Sequence, residues 1–366
     1  MPLTNRGREN FSDRGCRQLS KNALTVIAVA LIASVMILHD APTATAQDDH
    51  SPEWLRQRLG LAPSNRRDNG DMTTLVRPIA EKSRPSVAQI LSGGRPVALG
   101  TIVGSDGYVL TKRSELTGDP VRVRLSDGRL LPARVAAVRR ASDLALLKVE
   151  TATPMQPIQF VTDSLPIGSF VITPGRTGRP IGLGVLSVRA RRVAHQGRLG
   201  VMLDNDPNGM ATVQTVYPHS GAQRAGVKKD DRIIAINGRQ EMSRESVIQT
   251  LRGMFPGENV RLTIVRAGDT LELNAQIRDM DILQETENDT KVNGPRSVRL
   301  NGFEQVMQHD TVLDPDDCGG PVLDSKGRAI GINIARAGRV VTYALPSSLV
   351  VPEMNSMLRE ARANSN

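Results

Sequence analysis

A chain of 366 residues has room for two or three domains, and with 39% hydrophobic and 23% charged residues its composition is that of a globular protein. One Trp, three Tyr and five Phe leave the cores to Val, Ile, Leu and Ala, which suits β structure. The net charge of +9 is spread among acids, in pairs such as Arg139-Arg140 and Arg191-Arg192; with so few aromatics this argues against a nucleic-acid partner and for a solvated surface.

Residues 1–46 read as an export signal. Arg6, Arg8, Arg14, Arg17 and Lys21 precede an apolar run from Ala23 to Leu38, and Ala44-Thr45-Ala46 has the form of a cleavage site. The alternative is an uncleaved anchor, although a run of 16 residues is shorter than the roughly 20 that span a bilayer. Either way the rest of the chain is expected in the periplasm or outside the cell, touching a membrane only through this segment. Cleavage removes Cys16 and leaves Cys318 unpaired, either buried and inert or chemically used.

Residues 47–71 are polar and broken by Pro and Gly, which predicts a flexible leader with one short helix at Trp54–Leu61. From Met72 to residue 162, short apolar runs ("SVAQIL", "ALGTIVG", "GYVLTK", "LALLKVE") alternate with turns such as Ser105-Asp106-Gly107, the pattern of a small antiparallel barrel. "SFVITPG" and "IGLGVLSVRARRV" begin a second run of strands over 163–194. Residues 195–283 interrupt it. There, short strands lead to "SGAQRAGVKKDDRIIAING", a helix is predicted after an N-cap at Ser243 with Val247, Ile248 and Leu251 on one face, and a hairpin turns at Ala267-Gly268-Asp269. Strands are expected to resume over 284–350 with "SVRL", "PVLD", "AIGINIA" and "VVTYALP". A helix over Val351–Arg362 and a tail to residue 366 end the chain.

Three separated segments resemble trypsin-like serine proteases of the HtrA/Deg type. "GTIVGSDGYVLTKRSEL" is similar to the approach to the catalytic His, "ASDLALLKV" to the segment with the catalytic Asp, and "MQHDTVLDPDDCGGPVLDSKGRAIGINIA" to that with the nucleophile. Residues 195–283 resemble a PDZ domain. The resemblance implies a mainly β protein: a trypsin-like double β-barrel with a PDZ domain inserted in the second barrel. Position by position it sets Cys318 at the nucleophile, Asp143 at the orienting acid, and Ser114 where the His belongs. Asp316 stands where the family has an oxyanion-loop Gly. A hydroxyl is no base near neutral pH, so the resemblance implies a pseudoprotease, acting in envelope quality control or as an adaptor. The rival reading is an endopeptidase with Cys318 as nucleophile and His309 as surrogate base. In the PDZ-like part, Arg198, Leu199, Gly200 and Val201 match the loop that receives a C-terminal carboxylate. The edge to Leu203 and the helix face with Val247 and Leu251 complete a groove for C-terminal or unfolded polypeptide segments. No motif calls for a cofactor or a metal, and the family resemblance implies a homo-oligomer.

Overall fold

The computed structural model describes residues 69–364 apart from 196, 242 and 280–290. The export segment and the helix expected at Trp54–Leu61 lie outside the described residues. Among the described residues no helix is long and apolar enough to cross a membrane.

The first element is a helix, α1 (Gly70–Ser83), where the residue pattern predicts β structure. The Asn69 carboxamide oxygen accepts from the Met72 N–H at 2.8 Å and starts it, and Val76, Ala80 and Ser83 recur on its buried face. Met72, Val76 and Ile79 pack on Ile172, Leu183, Leu323 and Ala329. All four belong to the second barrel, so α1 precedes the first barrel in the chain but closes the second.

Six strands then form a closed barrel: β1 (Val87–Ser92), β2 (Arg95–Gly104), β3 (Tyr108–Lys112), β4 (Val121–Arg124), β5 (Leu130–Arg139) and β6 (Leu144–Val149), in the order β1-β2-β3-β6-β5-β4. Closure leaves no unpaired edge. The second barrel starts with β7 (Phe170–Pro174) and β8 (Pro180–Val193).

There the chain departs into a separate module: β9 (Gly197–Arg198), β10 (Val201–Asn205), β11 (Ala211–Val216), α2 (Gly221–Arg224), β12 (Arg232–Ile236), β13 (Arg239–Gln240), α3 (Arg244–Arg252), β14 (Asn259–Arg266), β15 (Asp269–Gln276) and β16 (Arg278–Asp279). Its main sheet runs β10-β11-β12-β14-β15, around a core of Val, Ile, Leu, Ala and Met side chains. Ser243 caps α3, its hydroxyl accepting from the Ser246 N–H at 3.1 Å. The β14–β15 turn places Ala267 at φ +50° and Gly268 at φ +97°, the left-handed pair that a two-residue hairpin needs. Entry and exit strands pair with each other, Gly197 with Asp279 and Arg198 with Arg278. Adjacent ends of this kind let a domain sit inside another without stretching its host.

The chain returns as β17 (Phe303–His309), β18 (Pro321–Asp324), β19 (Ala329–Gly338) and β20 (Val341–Pro346), closing the second barrel in the order β17-β20-β19-β18-β7-β8. The helix α4 (Ser347–Ala363) begins four residues before the predicted Val351. Leu110, Leu144 and Leu146 of the first barrel meet Phe303, Ile332 and Leu345 of the second in a common core, which Val350 and Met357 of α4 complete. Each such fully buried side chain contributes about 1.5–3 kcal/mol. No strand forms at Ser297–Leu300. Two backbone N–H groups there go to side chains: Val298 N–H to Glu115 Oε1 at 3.2 Å, and Leu300 N–H to Asp279 Oδ2 at 3.2 Å.

Candidate active-site cleft and peptide groove

Ser114 lies just beyond β3 and Asp143 in the turn before β6, and the structure joins them. Asp143 Oδ2 accepts from the Ser114 hydroxyl at 2.8 Å, and Oδ1 from the Ser114 N–H at 3.0 Å. Asp143 sits at φ +60°, almost fully buried. Burial pushes its carboxyl above the usual range, against the Arg299 charge and the Ser114 hydrogen bond. The carboxylate therefore holds a hydroxyl, not an imidazole.

Cys318 follows a single 3-10 turn at Pro315–Asp317. Its side chain is fully buried, and Sγ lies 3.9 Å from the Asp314 carbonyl oxygen. Burial pushes the thiol up to about 11; the nearby Lys112 charge opposes this, Asp317 adds to it and Ser297 opposes it by a hydrogen bond. The Cys318 N–H donates to the Pro315 carbonyl at 3.3 Å, so that donor is taken up within the turn. Lys112 Nζ, also fully buried, donates to the same carbonyl at 2.6 Å and pairs with Glu115 at 3.2 Å. Asp316 is exposed within the turn, away from the left-handed region where glycine would be favoured. Gly319 is at φ +102°, and a Cβ there would stand 2.2 Å from the Leu99 carbonyl oxygen, so only glycine fits.

His309 has a different task. It is fully buried in β17, with Nε2 at 2.8 Å from Asn333 Oδ1 and Nδ1 at 2.7 Å from Thr311 Oγ1. Asn333 Nδ2 donates to Thr173 at 3.0 Å, which leaves its oxygen to accept from Nε2–H and leaves Nδ1 to accept the Thr311 hydroxyl. Burial lowers the imidazole to about 4. Both ring nitrogens are engaged inside the barrel, contrary to the surrogate-base reading.

The space in front of the Ser114–Asp143 pair is filled by the inserted module. Gly257, at φ +87°, packs so closely that a Cβ on it would lie 2.9 Å from Ser114 Cβ. Beside it, Glu258 receives a two-pronged contact from Arg140, both hydrogen bonds 2.6 Å, and a longer one from Arg113 at 3.6 Å. Burial opposes ionisation of Glu258, but the Arg140 hydrogen bonds prevail and hold its carboxyl below the usual range. The Arg299 guanidinium, 4.2 Å from the Phe255 ring and 4.5 Å from the Phe303 ring, donates to the carbonyls of Arg140, Ala141, Asn301 and Gly302. Burial lowers the guanidinium pKa to about 10. The returning chain also crosses the cleft: Ser297 N–H donates to the Arg336 carbonyl and Ser297 Oγ accepts from the Arg336 N–H, both at 3.0 Å. Sequence reasoning missed Lys112, Glu258, Ser297 and Arg299. The one signal was a lysine ending an apolar strand, "YVLTK", where alternation points it inward.

On the inserted module, a groove of about 460 Å³ opens between β10 and α3. Arg198, Leu199, Gly200, Val201, Leu203 and Leu251, which the PDZ resemblance implies for peptide binding, all line it. Val247 does not: it is fully buried in the module's core, and Ile248, one position on, lines the groove.

Two closed six-stranded barrels interrupted by a sheet-and-helix module define a trypsin-like double β-barrel with a PDZ domain inserted in its second barrel. Residues 98–226 match the trypsin-like peptidase domain, a match that stops short of Cys318, and residues 197–277 match the PDZ domain. The chain is 22% identical to a probable periplasmic serine endoprotease DegP-like of Chlamydia trachomatis, over 78% of this chain and 73% of that one. It is 31% identical to the periplasmic serine endoprotease DegP of Escherichia coli, over 31% of this chain and 24% of that one. It also aligns with the crystal structure of the MamO protease domain from Magnetospirillum magneticum, at 18% identity and TM-score 0.38, covering 74% of this chain and 96% of that one. The chain thus joins a match to the trypsin-like peptidase domain with a match to the PDZ domain, and it is similar to DegP-type serine endoproteases.

Proposed function

We propose that the protein is an exported, proteolytically inactive HtrA-type scaffold. It binds polypeptide C-termini or unfolded segments through its PDZ groove, as an adaptor in envelope protein quality control. The observation that carries this reading is the Ser114 hydroxyl on Asp143, in the place of an imidazole. A nucleophile needs an acceptor for its proton and a donor to return it to the leaving amine. Loss of the base from such a unit costs about 10⁶-fold in rate, and loss of one oxyanion donor about 10²- to 10³-fold. The buried thiol of Cys318 and its N–H, bonded within the turn, support the same conclusion. The open groove supports binding as the retained activity. The periplasmic relatives support export, and the family resemblance supports a homo-oligomer.

The test pairs two assays on the purified chain. Unfolded casein should remain intact over long incubation, while C-terminal peptides ending in an apolar residue bind and their C-terminal amides do not. Casein cleavage that disappears in Cys318→Ala would replace this reading with the endopeptidase one. Failure of every peptide to bind would remove the adaptor role.

A further inference from the structure

The groove carries more charge than capture of a C-terminus requires. Arg198, Arg244 and Arg252 line it, and no carboxylate does. Arg198 belongs to the loop that would hold the terminal carboxylate, and Arg252 stands at the C-terminal end of α3. Arg244 is at the opposite end of that helix. Residues 244, 248 and 251 lie at i, i+4 and i+7, so one stripe of α3 presents Arg244, Ile248 and Leu251 along the groove.

The register of an added strand fixes what Arg244 would meet. β10 pairs with β11 along one edge, and the Leu203 carbonyl turns to the other, where it accepts from Arg244 Nε at 2.9 Å. A peptide entering antiparallel to β10 steps back one residue for each residue forward along the strand. With its last residue beside Val201, its third-from-last residue falls beside Leu203. Both side chains then project to the same face. The last rests against Ile248 and Leu251, and the third from last faces Arg244. The incoming peptide N–H competes for the Leu203 carbonyl and frees the guanidinium to turn to that side chain. Nη1 of Arg244 contacts the exposed Glu245 at 3.2 Å, and Nη2 has no acceptor among the described residues.

Resting on the reading of this groove as a peptide site, we propose that Arg244 selects polypeptide C-termini with Asp or Glu at the third residue from the end. A guanidinium fork and a carboxylate make the strongest match of shape and charge available there. Arg244 is 38% exposed, so solvent screens the pair and the preference is modest.

The test uses the full chain and one fluorescent peptide in three forms, with Glu, Gln or Lys at the third position from a free C-terminus. The Glu form should bind about three- to tenfold more tightly than the Gln form. The Lys form should be weakest, and the difference should shrink as salt rises. In Arg244→Gln the Glu form should fall to the level of the Gln form, while Arg252→Gln should keep the ratio between them. Equal binding of the Glu and Gln forms to the unaltered chain would overturn the proposal but leave peptide capture standing. A preference that survives in Arg244→Gln would overturn the assignment to this residue. No binding by any form would remove the peptide site itself and this proposal with it.

Discussion

The cleft between the barrels and the groove on the inserted module are both recesses lined with polar groups, and they differ in where those groups point. In the cleft the donors are taken up by the protein itself. The Ser114 hydroxyl goes to Asp143, the Cys318 N–H to Pro315 and Lys112 to the same carbonyl, while inside the barrel the His309 Nε2–H goes to Asn333. In the groove, arginines and an open strand edge face the recess with no carboxylate opposite. A buried polar network whose members satisfy one another rigidifies a fold and leaves no group for a substrate. On the function proposed above, the protease-like part serves as a support and the inserted module carries the binding chemistry.

The sharpest way to break this contrast is to treat the cleft as structure and remove a part. Replacing Arg299 with Met should destabilise the chain by about 3–5 kcal/mol in urea unfolding, because four carbonyls and the Asp143 charge lose their partner. A loss below about 1 kcal/mol would mean the guanidinium is solvated and not structural. The next effect depends on pH. Unfolded His309 takes up a proton near pH 6.5, whereas native His309 does so only near 4. The unfolded state therefore binds more protons between these values, and stability that is complete above pH 6.5 falls as pH drops towards 4. The loss is on the order of 3 kcal/mol and should be largely absent in His309→Gln.

Smaller still is the latch between module and barrel. Glu258→Gln should cost about 1–3 kcal/mol, through two arginines left without their carboxylate. The same variant should raise hydrogen exchange at residues 254–258 and 297–299 while peptide affinity holds. Loss of peptide binding in this variant would show that cleft and groove are not separable. The smallest expected effect is none. Ser114→His should not restore casein cleavage, because Gly257 packs on that position and the Cys318 N–H stays bonded to Pro315. Robust cleavage by this variant would show that the imidazole was the one part missing.

Much of the frame was legible in the residues. Alternating apolar runs and Gly-bearing turns mark both barrels, the Ser243 cap marks α3, and Ala267-Gly268 marks its hairpin, because each depends on near neighbours in the chain. Separate motifs marked the Ser114 and Asp143 positions, 29 residues apart, but not the hydrogen bond that joins them. What escaped was set by distant packing. The helix α1 is held by side chains of the second barrel, some 100 to 250 residues further on. "SVRL" alternates like a strand, but Arg299 is drawn inward by four carbonyls, and the Val298 and Leu300 N–H groups go to side chains instead. Val247 and Ile248 are adjacent on one helix, and only the position of the sheet decides which faces the core. Gly257 reads as an ordinary turn glycine until the module is seen against Ser114.

The proposed inertness of Cys318 is tested most directly by its alkylation rate in the native chain as a function of pH. A thiol raised to about 11 should react slowly at neutrality, with a rate that climbs steadily through pH 9 and shows no plateau below it. An inflection between about pH 6 and 8, the mark of a thiolate paired with an imidazolium, would contradict the account.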